Sequence, residues 1–369
     1  MGRTEPGGFG NCLLTAAGGP GTIRQRQSPR ATDPPPGPAT FDDTDVPLPD
    51  RLRGPDAIRL TDLTRAAVAE ARAFADRLTG PAGRPPEPAP APPVSYRRLR
   101  RVVLTDTVGR ALFGEYAAHR ATDRGQEETG WVLLGRREEE QAVVLATLPA
   151  GTERDAGEAH VRFNADAQAL ASRIVRQQDR RLTMLGVVHT HPGRLRHPSR
   201  GDYDGDRRWV PALRGGDGVF GIGTVTGLTA EGDGHPAPNV QTWDGLRFDW
   251  YTLAAGDAVY SPLPVELVLG PDLAADLRPV WPVIEAHAAR LDRLARQLPA
   301  VRFAPAENGE LVVTFPLAKP GEGVRVLAGV KATRLYYEVA GEVFQPDLPA
   351  GVAPDQALYL LLAELAARE

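Results

Sequence analysis

The spacing of apolar residues predicts alternating strands and helices between residues 98 and 259. Alternating or continuous apolar runs, typical of strands, lie at 98–105, 131–137, 142–148, 160–164, 183–190 and 218–226. Helical spacing lies at 106–121, 166–180 and, in a short form, 201–213. Asp106 is the predicted N-cap of the first helix. The almost wholly apolar run at 183–190 favours a buried central strand, and a hairpin turning at Asp244-Gly245 is expected to close this region.

A second set of patterns predicts a smaller α+β domain over residues 262–369. Its helices are expected at 280–298 and 354–367, and its strands at 310–317, 324–330 and 334–344. Pro354 suits the first position of the last helix. No motif in this part of the chain indicates a chemical function.

The N-terminal part is poor in periodic apolar residues. Residues 1–55 are rich in Gly, Pro and Arg, so we expect them to be disordered. Residues 56–80 contain apolar positions at helical spacing and predict a helix, and the Pro-rich stretch 81–95 is typical of a linker. The main folded domain is therefore expected at 96–258.

Composition excludes several classes of protein. The net charge of −4 gives no electrostatic argument for a nucleic-acid or membrane partner. The single cysteine, Cys12, excludes a disulfide framework and a thiolate metal cage. The short apolar patch at 12–17 is a poor secretory signal and no apolar run is long enough to span a membrane, so we expect a soluble, cytoplasmic protein.

Lysine is scarce: the only two are Lys319 and Lys331, and the other basic residues are arginines. We interpret this as the composition of a GC-rich genome. The alternative hypothesis is that an enzyme working beside a lysine-modifying pathway avoids being modified itself.

Two histidines, a serine and an aspartate form a compact polar motif after the predicted central strand. Residues 186–202 read GVVHTHPGRLRHPSRGD. In an extended backbone the side chains of His189 and His191 project to the same face, so both can reach one metal ion. If Ser199 caps a helix, Asp202 lies in its first turn, close to Ser199. Two histidines and one carboxylate leave the open coordination position typical of catalytic zinc, where a bound water has a pKa of around 7.

This motif resembles that of the JAB/MPN metalloproteases, known as the JAMM motif. His189, His191, Ser199 and Asp202 match its His-x-His, seven residues, Ser, two residues, Asp pattern throughout. The family also has an upstream Glu-Thr-x-Gly-x-Leu-x-Gly block, and residues 128–135 read ETGWVLLG. Trp131 stands where the family has glycine, which puts the local turn in question. The resemblance covers about residues 98–255.

The resemblance implies a fold and a set of roles. The fold is an α/β (α+β) domain of the cytidine-deaminase-like kind, with a mixed β-sheet flanked by helices. His189, His191 and Asp202 would bind Zn²⁺, and Glu128 would take a proton from the metal-bound water and deliver it to the leaving amine. Ser199 would hydrogen-bond the developing oxyanion. Glu127 is the adjacent alternative to Glu128.

The resemblance also implies a substrate class. Family members hydrolyse peptide or isopeptide bonds after the tail of a ubiquitin-like protein, so the expected partners are such a modifier or its conjugate and E1- or E2-like proteins. A tail ending in small residues would lie extended beside a strand edge. Two alternatives remain, a non-catalytic MPN-type scaffold and a same-fold metallohydrolase acting on a small molecule or an unrelated peptide. A zinc nucleobase deaminase is excluded because its Pro-Cys-x-x-Cys block is missing.

Neighbouring polar and aromatic residues have simpler interpretations. We expect His197 to be solvated, and Trp131 and Trp209 to be packing residues. Asp204 and Asp206 are expected to face solvent, although either could orient a zinc-bound imidazole.

Overall fold

The computed structural model describes most of the chain and divides it into two compact units. The described residues are 13–15, 68–78, 95–152, 154–158, 160–193, 195–226, 237–317, 322–339, 342–346, 348 and 350–368. The first unit lies within residues 1–18 and 88–289, and the second within 19–87 and 290–369. Among the described residues, no helix has both the length and the apolar character needed to cross a bilayer.

The first unit is built on a nine-stranded mixed sheet. Its strands are β2 (Arg101–Thr105), β3 (Gly130–Arg137), β4 (Gln141–Pro149), β7 (Thr183–Thr190), β8 (Asp217–Val225), β9 (Val240–Trp243), β10 (Leu246–Ala254), β11 (Ser261–Pro262) and β12 (Val265–Val268). They follow the order β11-β10-β8-β7-β3-β4-β2-β12, and β9 pairs with β10. The predicted mixed α/β architecture is confirmed. The predicted central strand is confirmed too, because β7 lies between antiparallel β3 and parallel β8.

Helices of the first unit cover or border this sheet. They are α2 (Asp106–Arg120), α3 (Ala165–Arg176) and α4 (Arg200–Asp206), and α5 (Trp281–Gln297) begins in this unit. Asp106 was predicted to cap α2, but the N-cap is Thr105, whose side chain accepts the N–H of Val108. The β-branched Thr105 also ends strand β2, so a single residue closes the strand and opens the helix.

One hydrophobic cluster of the first unit packs helix α2 against the sheet. Leu112 and Tyr116 of α2 pack in it with Trp131 of β3 and Phe248 and Trp250 of β10. Phe248 contacts several of these rings edge-on or tilted, an arrangement that aromatic quadrupoles favour. Burial of these large side chains holds β10 and α2 against the centre of the sheet.

The predicted hairpin turn is confirmed. Asp244 and Gly245 connect β9 to β10, and both have positive φ values, 49° and 75°. Two consecutive left-handed residues form the turn that matches the twist of a two-residue hairpin, and Asp-Gly is a preferred pair for it.

A separate three-stranded sheet in the first unit includes residues 13–15. Its strands are β1 (Leu13–Thr15), β6 (His160–Arg162) and β5 (Asp155–Gly157), in that order. Strand β1 falls inside residues 1–55, which were predicted to be disordered. The pairing is with residues far along the chain, so local composition carries no sign of it. The rest of 1–55 lies outside the described residues.

The boundary of the C-terminal domain also differs from the prediction of residue 262. Strand β12 pairs in parallel with β2, and β11 pairs with β10, so both strands extend the large sheet. The compact second unit has its C-terminal part at residues 290–369. Both strands are too short to show a period of two in the sequence.

The second unit contains a five-stranded antiparallel sheet. Its strands run in chain order: β13 (Arg302–Pro305), β14 (Leu311–Pro316), β15 (Gly323–Ala328), β16 (Thr333–Val339) and β17 (Glu342–Phe344). Helix α6 (Pro354–Arg368) contacts β15 and β16. Phe315 and Val326 are fully buried in its core. The N-terminal helix of this unit is described at 68–78 (α1), and the remainder of the predicted 56–80 helix and nearly all of the 81–95 linker lie outside the described residues.

Candidate metal centre

Three separate segments bring the predicted site residues to one end of the large sheet. His189 is near the end of β7 and His191 follows that strand directly. Asp202 is in the first turn of α4. Glu128 comes just before β3, the antiparallel neighbour of β7, where Gly130 lies opposite His189. Strand pairing therefore brings Glu128 near the histidines across 61 positions of sequence.

The two histidines and the aspartate face one another at close range. His189 Nε2 lies 3.1 Å from His191 Nε2 and 3.3 Å from Asp202 Oδ1. His191 Nε2 lies 3.6 Å from Asp202 Oδ2. All three residues are buried, with exposed fractions of 2%, 4% and 2%. The prediction that these side chains converge is confirmed, and among the described residues they are the one such group able to hold a metal ion.

This arrangement fits a zinc ion. Zinc–nitrogen and zinc–oxygen bonds of about 2.0–2.2 Å in a tetrahedron place neighbouring ligand atoms roughly 3.3 Å apart. The 3.1 Å between the two Nε2 atoms, and the 3.3 and 3.6 Å from these atoms to the two carboxylate oxygens of Asp202, lie around that value. Nitrogen and carboxylate ligands are also those of catalytic zinc, whereas calcium and magnesium prefer oxygen alone.

Hydrogen bonding fixes the orientation of His191. Its Nδ1 lies 2.8 Å from the carbonyl oxygen of Leu195, so Nδ1 donates the proton and a neutral ring presents the Nε2 lone pair to the centre. The loop that carries Leu195 is held in turn, since the hydroxyl of Tyr251 on β10 donates to the carbonyl of Arg196 at 2.8 Å.

A capping box fixes Asp202. The side chain of Ser199 accepts the N–H of Asp202 at 3.2 Å, and Asp202 Oδ2 accepts the N–H of Ser199 at 2.5 Å. The predicted cap is confirmed. One carboxylate therefore both closes the start of α4 and faces the two imidazoles, and its direction is set by the backbone of its own helix.

The ionisable side chains of the centre change one another's pKa. Burial disfavours the charged ring of His189, but Asp202 and Glu128 outweigh it and raise the pKa of His189 to about 9. Burial alone would raise the pKa of Asp202, yet His189, His191 and the N–H of Ser199 hold that pKa well below its usual range. Asp202 is therefore a carboxylate at any neutral pH, as a metal ligand must be.

Glu128 is buried near His189 and Asp202. It is 2% exposed, and its N–H donates to the carbonyl of Gly157 in β5 at 2.7 Å. Burial, with a smaller contribution from Asp202, raises the pKa of the Glu128 carboxyl to about 7, while His189 opposes the rise. Glu127, the alternative considered from the sequence, instead forms an ion pair with Arg124 at 2.7 Å.

Trp131, which stands where the family has glycine, does not interrupt strand β3. Trp131 is a core residue, 2% exposed, whose indole N–H donates to Glu115 at 2.6 Å, as expected for a packing residue. The close approach falls on Gly130, where a Cβ would lie 2.6 Å from the carbonyl oxygen of Val188 and 3.3 Å from His189 Cβ. A glycine is thus required one position before the family's usual one.

Asp206 is a buried residue of the site that sequence analysis placed in solvent, and that prediction is wrong. It is 1% exposed, and its two oxygens accept the Tyr260 hydroxyl at 2.7 Å and the Trp209 indole N–H at 3.1 Å. Burial raises its pKa to about 7, against the effects of Tyr260 and His189. The hydrogen bond from Tyr260 to Asp206 joins residues far apart in the sequence, so no local pattern predicts it. Asp204 is partly exposed and pairs with Arg200.

Two minor predictions are confirmed. His197 is exposed, and its ring lies 3.1 Å from the carbonyl oxygen of Pro198. Trp209 packs against Phe220 at the rim of the site, with 5.6 Å between ring centroids.

Comparison with known proteins agrees with the geometry. Residues 109–241 match the model of prokaryotic homologs of the JAB domain, and no curated protein matches the chain. Among solved structures, the chain is similar to protein DSY2949 from Desulfitobacterium hafniense, at 16% identity over 46% of this chain and 94% of that chain. The TM-score of 0.29 is too low to support a conclusion about this protein. The family match and the buried His-His-Asp group together indicate that residues 109–241 form a JAB-type domain of the prokaryotic kind.

Proposed function

We propose that this protein is a zinc-dependent peptidase or isopeptidase that hydrolyses the amide bond after the tail of a ubiquitin-like modifier. The observation that carries the proposal is the buried group of His189, His191 and Asp202, with Glu128 buried next to it. A JAB domain with such a group fits a metallohydrolase. The type of bond and the modifier come from the family resemblance alone.

His189, His191 and Asp202 would hold the ion. Bound there, zinc supplies Lewis-acid chemistry, lowering the pKa of a water molecule to around 7 and polarising the substrate carbonyl. The ligands themselves are preorganised, because the Leu195 carbonyl orients His191 and the capping box orients Asp202. Zinc binding would therefore cost the side chains of His191 and Asp202 little conformational entropy.

Glu128 would act as the proton carrier. Amide hydrolysis needs a base to accept a proton from the attacking water and an acid to protonate the departing amine. A carboxyl whose pKa is about 7 exchanges protons readily at neutral pH in both directions. The hydrogen bond from the Glu128 N–H to Gly157 fixes the backbone that carries it.

Ser199 would stabilise negative charge on the substrate oxygen. Its hydroxyl oxygen accepts the N–H of Asp202, which uses an acceptor lone pair and leaves the hydroxyl hydrogen available for donation. A donor fixed in direction by a helix cap stabilises a developing oxyanion without reorganisation.

The expected partners are a ubiquitin-like protein or its conjugate, with E1- or E2-like proteins acting on the same modifier. The resemblance to JAB/MPN metalloproteases supports this class of substrate. A cytoplasmic location remains a prediction from the sequence.

Zinc content tests the first step of the proposal. Purified wild type is expected to hold about one zinc ion per chain, in keeping with one three-ligand site. The His189→Ala/His191→Ala double variant is expected to hold almost none, whereas Glu128→Ala retains the ion because Glu128 is outside the ligand set. Wild-type protein that holds little zinc even after reconstitution would refute the hydrolase and favour a non-catalytic scaffold.

Cleavage assays test the second step. Zinc-loaded wild type is incubated with fusions of candidate ubiquitin-like modifiers to a reporter protein, and the products are measured by mass spectrometry. Cleavage directly after the modifier tail, lost in Glu128→Ala, is the expected result. Zinc-loaded protein that cleaves none of the fusions but hydrolyses small amides would point to the alternative metallohydrolase.

A further inference from the structure

Strand β1 adds the N-terminal part of the chain to the edge of a hairpin beside the candidate metal centre. It pairs antiparallel with β6, with Leu13 opposite Arg162, Leu14 opposite Val161 and Thr15 opposite His160. On its other side β6 pairs with β5. Strand β1 is therefore an outer strand, attached to the sheet by β6 alone.

Two neighbours of β1 lead to residues of the centre. In the hairpin, the carbonyl of Gly157 in β5 accepts the N–H of Glu128, so the hairpin is fixed to the candidate proton carrier. Strand β1 also contacts α4, the helix whose first turn carries Asp202. An extended segment in this position therefore contacts both the hairpin tied to Glu128 and the helix that holds a metal ligand.

The sequence of this segment suits an extended peptide near a catalytic site. Two leucines and Thr15 are followed in the chain by Ala16, Ala17, Gly18 and Gly19, which carry no charge and at most one side-chain carbon. Strand addition obtains affinity from main-chain hydrogen bonds and specificity from side chains on alternate residues. A peptide with aliphatic residues followed by small ones can therefore use the same edge of β6.

We propose that Leu13–Thr15 is an intramolecular competitor strand, which occupies the β6 edge until an extended substrate peptide displaces it. The identity of the displacing peptide as a substrate rests on the proposed function, whereas the occupation of the edge does not. The class of peptide is an extended, uncharged segment that contains two consecutive aliphatic residues.

The energetics of so short a strand favour displacement. A strand of three residues forms few inter-strand hydrogen bonds, and the conformational entropy lost in ordering it opposes the pairing. Tethering to the rest of the chain favours the pairing through effective concentration, so a peptide in solution must compete with a segment that is always present.

Hydrogen exchange of the full-length chain tests the pairing directly. Alternate residues of an antiparallel strand donate to the neighbour, so Leu13→Pro/Leu14→Pro removes at least one donor whichever residue is bonded. Those amides of residues 160–162 that donate to β1 are expected to exchange at least about tenfold faster in this variant, since a paired amide exchanges only when the pairing opens. The matched control Leu13→Val/Leu14→Val keeps both N–H groups and should exchange as wild type does.

Binding of a peptide in trans tests the competition. The probe is the seven-residue peptide LLTAAGG, labelled with fluorescein at its N-terminus and ending in a free carboxylate, so that it offers no bond to cleave. Fluorescence anisotropy is expected to give at least about tenfold tighter binding to Leu13→Pro/Leu14→Pro than to wild type or the valine control, because the tethered competitor is removed. Unchanged melting temperature and zinc content confirm that the proline variant is folded.

The outcomes separate this proposal from the proposed function. Equal peptide affinity in all three proteins, or no binding to any of them, would overturn the competitor strand, and so would unchanged exchange at residues 160–162. Neither measurement requires hydrolysis. A chain that passes both tests but cleaves no fusion would retain the competitor strand and lose the isopeptidase.

Discussion

The candidate metal centre of the first unit and the second unit bury ionisable groups in different ways. In the first unit, Glu128, His189, His191, Asp202 and Asp206 are all buried at one end of the sheet. In the described part of the second unit the buried ionisable side chains are Asp292 and Asp355, and each has its own arginine, Arg296 at 2.9 Å and Arg290 at 3.7 Å.

This difference distinguishes a site from a scaffold. Burying a charge is costly unless it is paired, and in the second unit each buried carboxylate lies near one arginine, although the distance from Asp355 to Arg290 is too long for a hydrogen bond. The first unit instead places the three carboxyl groups of Glu128, Asp202 and Asp206 near the imidazoles of His189 and His191. A divalent cation would balance the negative charge of this group. The JAB domain thus concentrates polar groups that make it less stable without a ligand, and the second unit has the composition of a packed structural domain.

The largest expected effect is on catalysis, at Glu128. Because general acid–base catalysis contributes about 10²–10⁴ in rate, Glu128→Gln should lower kcat by that factor. Its zinc content should equal that of wild type. Glu127→Gln is the matched control, since Glu127 is occupied by Arg124 and should be replaceable with little loss. Steady-state cleavage of a modifier fusion measures both, and comparable losses in the two variants would contradict the assigned role.

The next effect is on stability, in the second unit. Phe315 is fully buried in its core, so Phe315→Ala should lower the free energy of unfolding by about 3–5 kcal/mol through lost burial and the cavity that remains. Urea denaturation measures the change. Zinc content at low urea should stay at the wild-type value, and a parallel loss of zinc would show that the two units are not separate in function.

A smaller effect is expected at Asp206, behind the metal ligands. Asn accepts one hydrogen bond in place of two and removes a charge that acts on His189, so Asp206→Asn should weaken zinc binding by about 10–100-fold. Competition with a zinc-binding dye gives the affinities. Asp204→Asn makes the same change on the same helix at a partly exposed residue, and it should have almost no effect. Equal affinities for the two variants would limit Asp206 to packing.

The smallest expected effect is on how the stability of the second unit depends on pH. Burial raises the pKa of Asp355 in the folded protein, although Arg290 opposes the rise. The folded state therefore prefers the protonated form, and it loses stability as pH rises from about 4, the pKa in an unfolded chain, through the raised folded value. Asp355→Asn cannot ionise, so it should be more stable than wild type by about 1 kcal/mol at pH 7, a usual size for one substitution.

Urea denaturation at pH 4 and pH 7 gives this comparison. The stability difference between variant and wild type should appear at pH 7 and shrink at pH 4. A variant less stable than wild type at pH 7 would mean that the ion pair with Arg290 outweighs the cost of burial.

The sequence was most informative where function and local structure use the same residues. Strand β7 matches the predicted run 183–190, and the cap formed by Ser199 and Asp202 follows from their spacing. The ligands could be predicted because a strand end and a helix start each place polar side chains at fixed positions. The predicted binding of zinc itself awaits measurement.

What the sequence did not reveal depends on pairing between distant segments. Strands β1, β5, β12 and β13 have four residues or fewer, and such short runs show no period. The burial of Asp206 depends on Tyr260, 54 positions away. Trp131 appeared as a departure from the family block, whereas the fold requires its glycine at position 130.

The register between β3 and β7 has a consequence for metal binding. Gly130 lies opposite His189, and slipping β7 by one residue would turn His189 and His191 to the other face of the sheet, away from Asp202. A misaligned chain would have the same mass and nearly the same strand content, yet its ligands would be scattered. Binding of a metal ion by these ligands therefore depends on the correct alignment of β7 with β3.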